Sequence, residues 1–426
     1  MPRPLLVGVS GVQPYFSAGH MDSMSPIAIE KHVLASSSNL TVSPDGKYIA
    51  NLDTSASSYL QVRDADTLEI VPLIRPTSPV SMCLFSPDGR FLCVTYNSGN
   101  FVIVYDVSTW AQITIPALAG AGSAVAFSPD SGFMAVTHAG GNRLTIYETA
   151  TWTKLTIDAF GQSGYAYRES MAFSPDGRFL AVTTSANVGF YVYDTSTWSK
   201  ITTVTNSGGG SHCAFSPDSS RLIILGTEYP YCSLHNTSTW AKLTMPLISG
   251  AGRSVEFSSD GSICAAASSS SPHLQLYDTS SWTLKTIPTM PLPIVEVAFN
   301  AEADILALAV GASPGILLLN ILTMEFLPGI ATFAGATTSV AFSNPAPRYL
   351  RGPVRDIDGN PAERRVRAYN RVTKQLAGET KSDPITGDYE LALYGQSDTE
   401  YDIQFLANDG ELLNDLFFAR ATTSET

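Results

Sequence analysis

The chain has 426 residues, 44% of them hydrophobic and only 15% charged, with 32 glycines and 26 prolines; this excludes a disordered chain and suits an all-β protein with many tight turns. Its net charge of −13 repels phosphate backbones and anionic membranes, so nucleic acid is not an expected partner. No stretch approaches the roughly eighteen apolar residues of a membrane span, and MPRPLLVGVSGVQPYF has neither the charge nor the apolar length of a signal peptide, so the reading is no membrane insertion and folding in a cytoplasm.

In chain order the first informative feature is a repeat, which decides the fold reading. An apolar residue followed by Ser-Pro-Asp or a variant of it recurs at Val42, Phe85, Phe127, Phe173, Phe215, Phe257, Phe299 and Phe342, at spacings of 43, 42, 46, 42, 42, 42 and 43. All five tryptophans (Trp110, Trp152, Trp198, Trp240 and Trp282) end segments of the DTSTW type and run in step, at 42, 46, 42 and 42. Within one unit SMAF, FLAVTT, FYVYD and KITTV read as four short strands. Ser-Pro-Asp-Gly puts Ser at the first position of a type I turn, Pro with its fixed φ at the second and Gly at the fourth. Asp-Thr-Ser-Thr-Trp offers carboxylate and hydroxyl oxygens to backbone groups, then a tryptophan large enough to seal one unit against the next. The recurring aspartates are therefore read as turn residues, not as catalytic groups or metal ligands.

Four-stranded units at this period are the blades of a β-propeller. The AFSPDGRFLAV-type hairpin and the YVYDTSTW-type third strand resemble the WD-repeat superfamily over residues 1–347, as a divergent relative. No Gly-His pair recurs ahead of the blades, and Tyr-Asp stands in place of Trp-Asp at Tyr105-Asp106, Tyr193-Asp194 and Tyr277-Asp278. Eight anchors favour eight blades, with seven as the alternative. The eighth, SVAFS at 339–343, has no second strand of its own kind after it. PLLVGVS at 4–10 stands where that strand belongs, followed by PYFSAG and IAIEKH for the third and fourth, so the two ends are expected to complete one blade together.

Cys83, Cys93, Cys213, Cys232 and Cys264 lie in apolar strand-like runs with no CxxC pair and are read as reduced core thiols. The two signature turns fall on one rim, as scaffold; the opposite rim carries the loops that vary. The four-residue insertion behind the 46 spacing lies in FGQSGYAYRES, with Tyr165, Tyr167 and Arg168, and GTEYPY adds Tyr229 and Tyr231. These five are the candidate interaction residues, since Tyr and Arg anchor protein interfaces and tyrosine rings stack on sugars. Catalysis has no comparable support. No GxSxG, HExxH or phosphate-binding loop is present, and His20, His32, His138, His212, His235 and His273 never form a spaced ligand pair. No enzymatic activity, metal or cofactor is expected; glycan hydrolysis by carboxylates gathered from distant blades is the least favoured alternative.

From residue 348 the repeat stops and charged residues crowd the chain, which marks 348–426 as a separate module. PVRDI, RRVRAYNR, GDYELAL and EYDIQFLA, broken by DGNP, SDPITG and NDG, read as antiparallel strands of a small β-sandwich. The order Gly352-x-Val354-x-Asp356-x-x-Gly359-x-Pro361, Arg365-Val366-Arg367-Ala368-Tyr369, Gly378-Glu-Thr, Ser382-Asp-Pro-x-Thr-Gly387-x-Tyr389 and Asn414-Asp-Leu is similar to an immunoglobulin-like or carboxypeptidase-regulatory-like module common in bacteriophage virion and tail proteins. That resemblance implies a non-enzymatic virion structural protein of the tail or its fibre and adsorption apparatus. It would be assembled in the bacterial host cytoplasm in multiple copies, with other virion proteins as partners and a host receptor or glycan as a further one. A receptor- or glycan-binding propeller and a capsid decoration protein are the alternatives. Asp356-x-Asp358-Gly359 lacks the full series of calcium-loop oxygens and is read as a plain turn.

Overall fold

In the computed structural model side chains are described between residues 40 and 327, apart from segments 53–59, 74–79, 97–101, 139–142, 158–170, 184–189, 202–208 and 311–315 and a few single positions; elsewhere only the backbone of strands is described. Every described element is a strand. Two compact units are separated, one carrying the strands from Leu5 to Phe342 and the other those from Arg348 to Thr422.

The first unit is a β-propeller. Seven blades follow one another between Ser37 and Phe326, each an antiparallel up-and-down sheet with its strands in sequence order. Blade 4 shows the expected plan: Met171–Phe173, Phe179–Thr183, Phe190–Asp194 and Lys200–Val204. In blades 2, 3, 5, 6 and 7 the fourth strand shrinks to two residues, as at Gln112–Ile113 and Lys242–Leu243. Prolines explain much of this difference. Pro116, Pro246 and Pro288 follow these short strands closely, and a residue without an N–H ends the ladder. Blade 1 has three strands, and an Arg63–Ile70 bridge marks where its fourth would run.

Second strands such as Phe91–Tyr96, Ile263–Ser268 and Ile305–Val310 are buried at every position, because both faces of a blade pack on neighbours. The blades approach closely at the start of the first strand. A Cβ added to Gly252 would come within 2.3 Å of Leu225 Cβ in the preceding blade, and one on Gly122 within 2.9 Å of Thr95 Cβ, so only glycine fits.

At the ends, Leu5–Val9 pairs antiparallel with Thr337–Phe342, Val7 opposite Val340, and parallel with His32–Ala35. PYFSAG and most of IAIEKH, expected as further strands here, lie outside the described residues.

The second unit has a two-stranded sheet, Arg348–Pro353 with Asp388–Leu393, and a four-stranded sheet in the order Leu376–Lys381, Arg365–Asn370, Glu400–Leu406, Phe418–Thr422. Of the expected PVRDI strand only Pro353 is described, within Arg348–Pro353; the other four residues lie outside the described residues. Leu376–Lys381 and Phe418–Thr422 were not among the expected strands.

Candidate interaction surface

Up-and-down strand order puts the turns after the first and third strands on one rim and the remaining connections on the other. The first rim is built of repeated side-chain brackets. In blades 1 to 6 the turn serine, Ser86 for example, is buried; its Oγ donates to the Asp88 carboxylate at 2.6 Å and accepts the Phe91 N–H at 2.9 Å. The same pair of bonds recurs at Ser43, Ser128, Ser174, Ser216 and Ser258. The fourth turn residue is left-handed: Gly89 at φ 72°, but also Ser131 at 57°, Ser219 at 59° and Ala303 at 60°. Ser131 and Ser219 use their side chains across the blade boundary, accepting the N–H of Asp88 and Asp176 at 3.0 Å.

The DTSTW turn locks onto this one. Thr149, Thr195, Thr237 and Thr279 donate to the carbonyls of Ser131, Gly177, Ser219 and Gly261 at 2.5–2.7 Å. The turn aspartate caps the backbone, Asp106 accepting the N–H groups of Ser108 and Thr109 at 3.0 Å. Its carboxyl is held below the usual range, chiefly by the Ser108 hydroxyl; Ser196 does the same for Asp194. Each tryptophan then adopts φ 54–58°. In four of the five the ring meets an aromatic of the preceding blade edge-on: Trp110 on Tyr48 at 4.9 Å, Trp152 on Phe91 and Trp198 on Phe133 at 5.0 Å, Trp240 on Phe179 at 5.1 Å; Trp282 lies 6.2 Å from Phe257 and Tyr277 of its own blade. These aspartates are thus occupied with turn construction, as their spacing predicted.

The opposite rim is unlike this. Of the candidate residues, Tyr165, Tyr167 and Arg168 lie outside the described residues. Tyr229 and Tyr231 sit on the blade 5 turn between Arg221–Gly226 and Cys232–Asn236, their rings edge-on at 6.2 Å, with Tyr229 69% exposed. Tyr229-Pro230 is cis and Tyr231 left-handed at φ 60°. Blade 6 repeats this backbone with other side chains: Ser271-Pro272 is cis and His273 has φ 60°. Tyr231 donates its N–H to the Glu228 carbonyl and His273 to that of Ser270. In blade 3 the equivalent residue is Arg143, at φ 63°. In the three blades where this position is described, 3, 5 and 6, the fold holds it in a strained conformation and fills it with Arg, Tyr and His. Such positions concentrate at functional sites. The sequence signal was present, since repeat numbering aligns all three, but only a backbone shows that the position is special.

Among the described residues no cluster of three His, Cys, Asp or Glu side chains that could hold a metal ion occurs. His138 and His235 are buried; Nε2 of His138 bonds Thr145 Oγ1 at 2.9 Å and that of His235 bonds Ser233 Oγ at 3.1 Å. Burial lowers the His235 pKa and favours the neutral ring. All five cysteines are free and buried, and desolvation pushes the Cys93 and Cys264 thiols far up, away from the reactive thiolate.

No family model matches the chain, and no curated protein does. Among solved structures it is similar to dihydro-heme d1 dehydrogenase NirN in complex with DHE, at 15% identity and a TM-score of 0.57, over 71% of this chain and 67% of that one. At that identity the likeness establishes the propeller fold alone.

Proposed function

We propose that this chain is a non-enzymatic binding platform of a bacteriophage particle, in the tail or its fibre and adsorption apparatus. The observation that carries the binding reading is the asymmetry of the rims. One is a uniform lattice of internally satisfied turns; the other changes residue type at a fixed strained position and exposes Tyr229. Tyrosine and arginine at such positions suit partner recognition. The virion setting is supported by the motif order of residues 350–420 alone. The second unit is read as the small sandwich of such a module.

In this reading the propeller has eight blades. Thr337–Phe342 packs against the first strands of blades 7 and 1, and with Leu5–Val9 and His32–Ala35 it supplies three strands of a closing blade. Tyr229 beside Tyr231 also favours a sugar ring as the rim's ligand, with a host glycan as the second reading.

The test uses particles from an infected culture. Replacing Tyr229 and Tyr231 by Ala is expected to leave the protein in the particle and to reduce adsorption to host cells severalfold, whereas deleting 348–426 is expected to abolish incorporation. Unchanged adsorption with the double variant would remove the rim from host binding.

A further inference from the structure

The seam between blades 6 and 7, on the rim of uniform turns, lacks the aromatic plug that closes the four seams between blades 1 and 5. In blades 1 to 4 the second strand brings an aromatic residue, a cation precedes it in three of them, and the tryptophan of the next blade meets that aromatic. Blade 5 has Arg221 there, and Trp282 lies 6.2 Å from Phe257 and Tyr277 of its own blade. Lys47 lies over Tyr48 at 5.0 Å, Arg90 over Phe91 at 4.9 Å and Arg178 over Phe179 at 5.0 Å, and Trp110, Trp152 and Trp240 abut the same three rings. Blade 6 has Ser262 and Ile263 at the cation and aromatic positions. Blade 7 has Met324 where the tryptophan belongs, at the same left-handed φ of 55°, and Ile321 where the locking threonine belongs. The backbone is conserved in shape while the plug is gone. A groove of about 570 Å³ opens there, lined by Asp260, Ile263, Lys285, Asp304, Leu322 and Met324. Leu322 on its lip is 82% exposed, the highest among the exposed large apolar residues described.

We propose that this groove is a docking site for a partner segment presenting an aromatic side chain beside a lysine or arginine. The filled seams supply the shape argument: at this place the fold elsewhere accommodates a large ring with a cation next to it. Charge supplies the second. Asp260 and Asp304 lie in the groove, and Lys285 has its ammonium 3.7 Å from Asp278, so the lining is net acidic. An aromatic ring gains from the apolar floor of Ile263, Leu322 and Met324 while its basic neighbour meets the carboxylates.

Isothermal titration of the full chain with the probe acetyl-Lys-Trp-Lys-amide tests this. Saturable one-to-one binding is expected, at least tenfold weaker for acetyl-Glu-Trp-Glu-amide and at least tenfold weaker for the Met324→Trp protein, whose added ring occupies the groove. Leu322→Lys, an exposed change that cannot unfold a core, is expected to weaken the basic probe as well. Absence of binding, or binding indifferent to both substitutions, would overturn the site. Self-association that Met324→Trp abolishes would overturn the heterologous partner in favour of a second copy of this chain.

Discussion

At the residue scale, each signature turn sets a local strain against a larger gain. A non-glycine residue in the left-handed region costs about 1–2 kcal/mol. A tryptophan burying roughly 150–250 Å² at about 25 cal/mol per Å² returns several kcal/mol, so the strained Trp is retained because its ring reaches the neighbouring blade. Ala303 has the strain without the gain: φ is 60° and a methyl group bridges nothing. Ala303→Gly is therefore expected to raise the unfolding free energy by about 1 kcal/mol, measured by urea denaturation. A fall would show that the methyl group packs to more effect than its backbone costs.

The turn carboxylates carry a pH dependence of known sign. Asp106, Asp130 and Asp194 have folded pKa values lowered chiefly by hydroxyl donors, Ser108, Ser128 and Ser196. Their stabilisation is complete above the unfolded carboxylate value of about 4 and disappears as pH falls through the lower folded values. His235, lowered by burial, acts at higher pH: below about 6.5 the unfolded chain takes up its proton before the folded one does, so stability falls there too. Thermal melting should decline in two stages on acidification, and the upper stage should be missing in His235→Gln.

At the element scale, sealing by aromatic pairs makes the blades interdependent. Trp198 is 7% exposed, 5.0 Å from Phe133 and 6.4 Å from Phe173. Trp198→Ala is expected to cost about 3–5 kcal/mol in equilibrium unfolding, because it leaves a void between two blades. A cost below about 1 kcal/mol would mean that blades hold together without the seam.

Strand positions and turn chemistry in the repeat were legible because Pro, Gly and Asp leave strong local signals every 42 residues or so. The left-handed tryptophans were not, since no propensity rule places a bulky aromatic there. Nor was the groove at Met324 foreseeable from composition: a single Trp-to-Met difference reads as a mild substitution until neighbouring seams can be compared. In the second unit Leu376–Lys381 and Phe418–Thr422 were missed, being mixed in polarity and, for the former, interrupted by Gly378. Of the candidate rim, Tyr229 and Tyr231 could be read from composition of the loop, but the shared position with Arg143 and His273 required the backbone.

At the scale of the whole molecule, the two rims differ chemically. The uniform rim spends its polar groups on its own turns; the variable rim exposes Tyr229, which in the proposed reading meets a partner. The net charge of −13 disfavours anionic polymers as partners. The most direct measurement is a cryo-electron-microscopy reconstruction of the particle from an infected culture that makes this chain. The account predicts a ring of eight sheets in the tail or its fibres, docked through the second unit with the Tyr229 rim free to face the host. Absence of the chain from every particle, or a ring buried by that rim against the capsid, would contradict it.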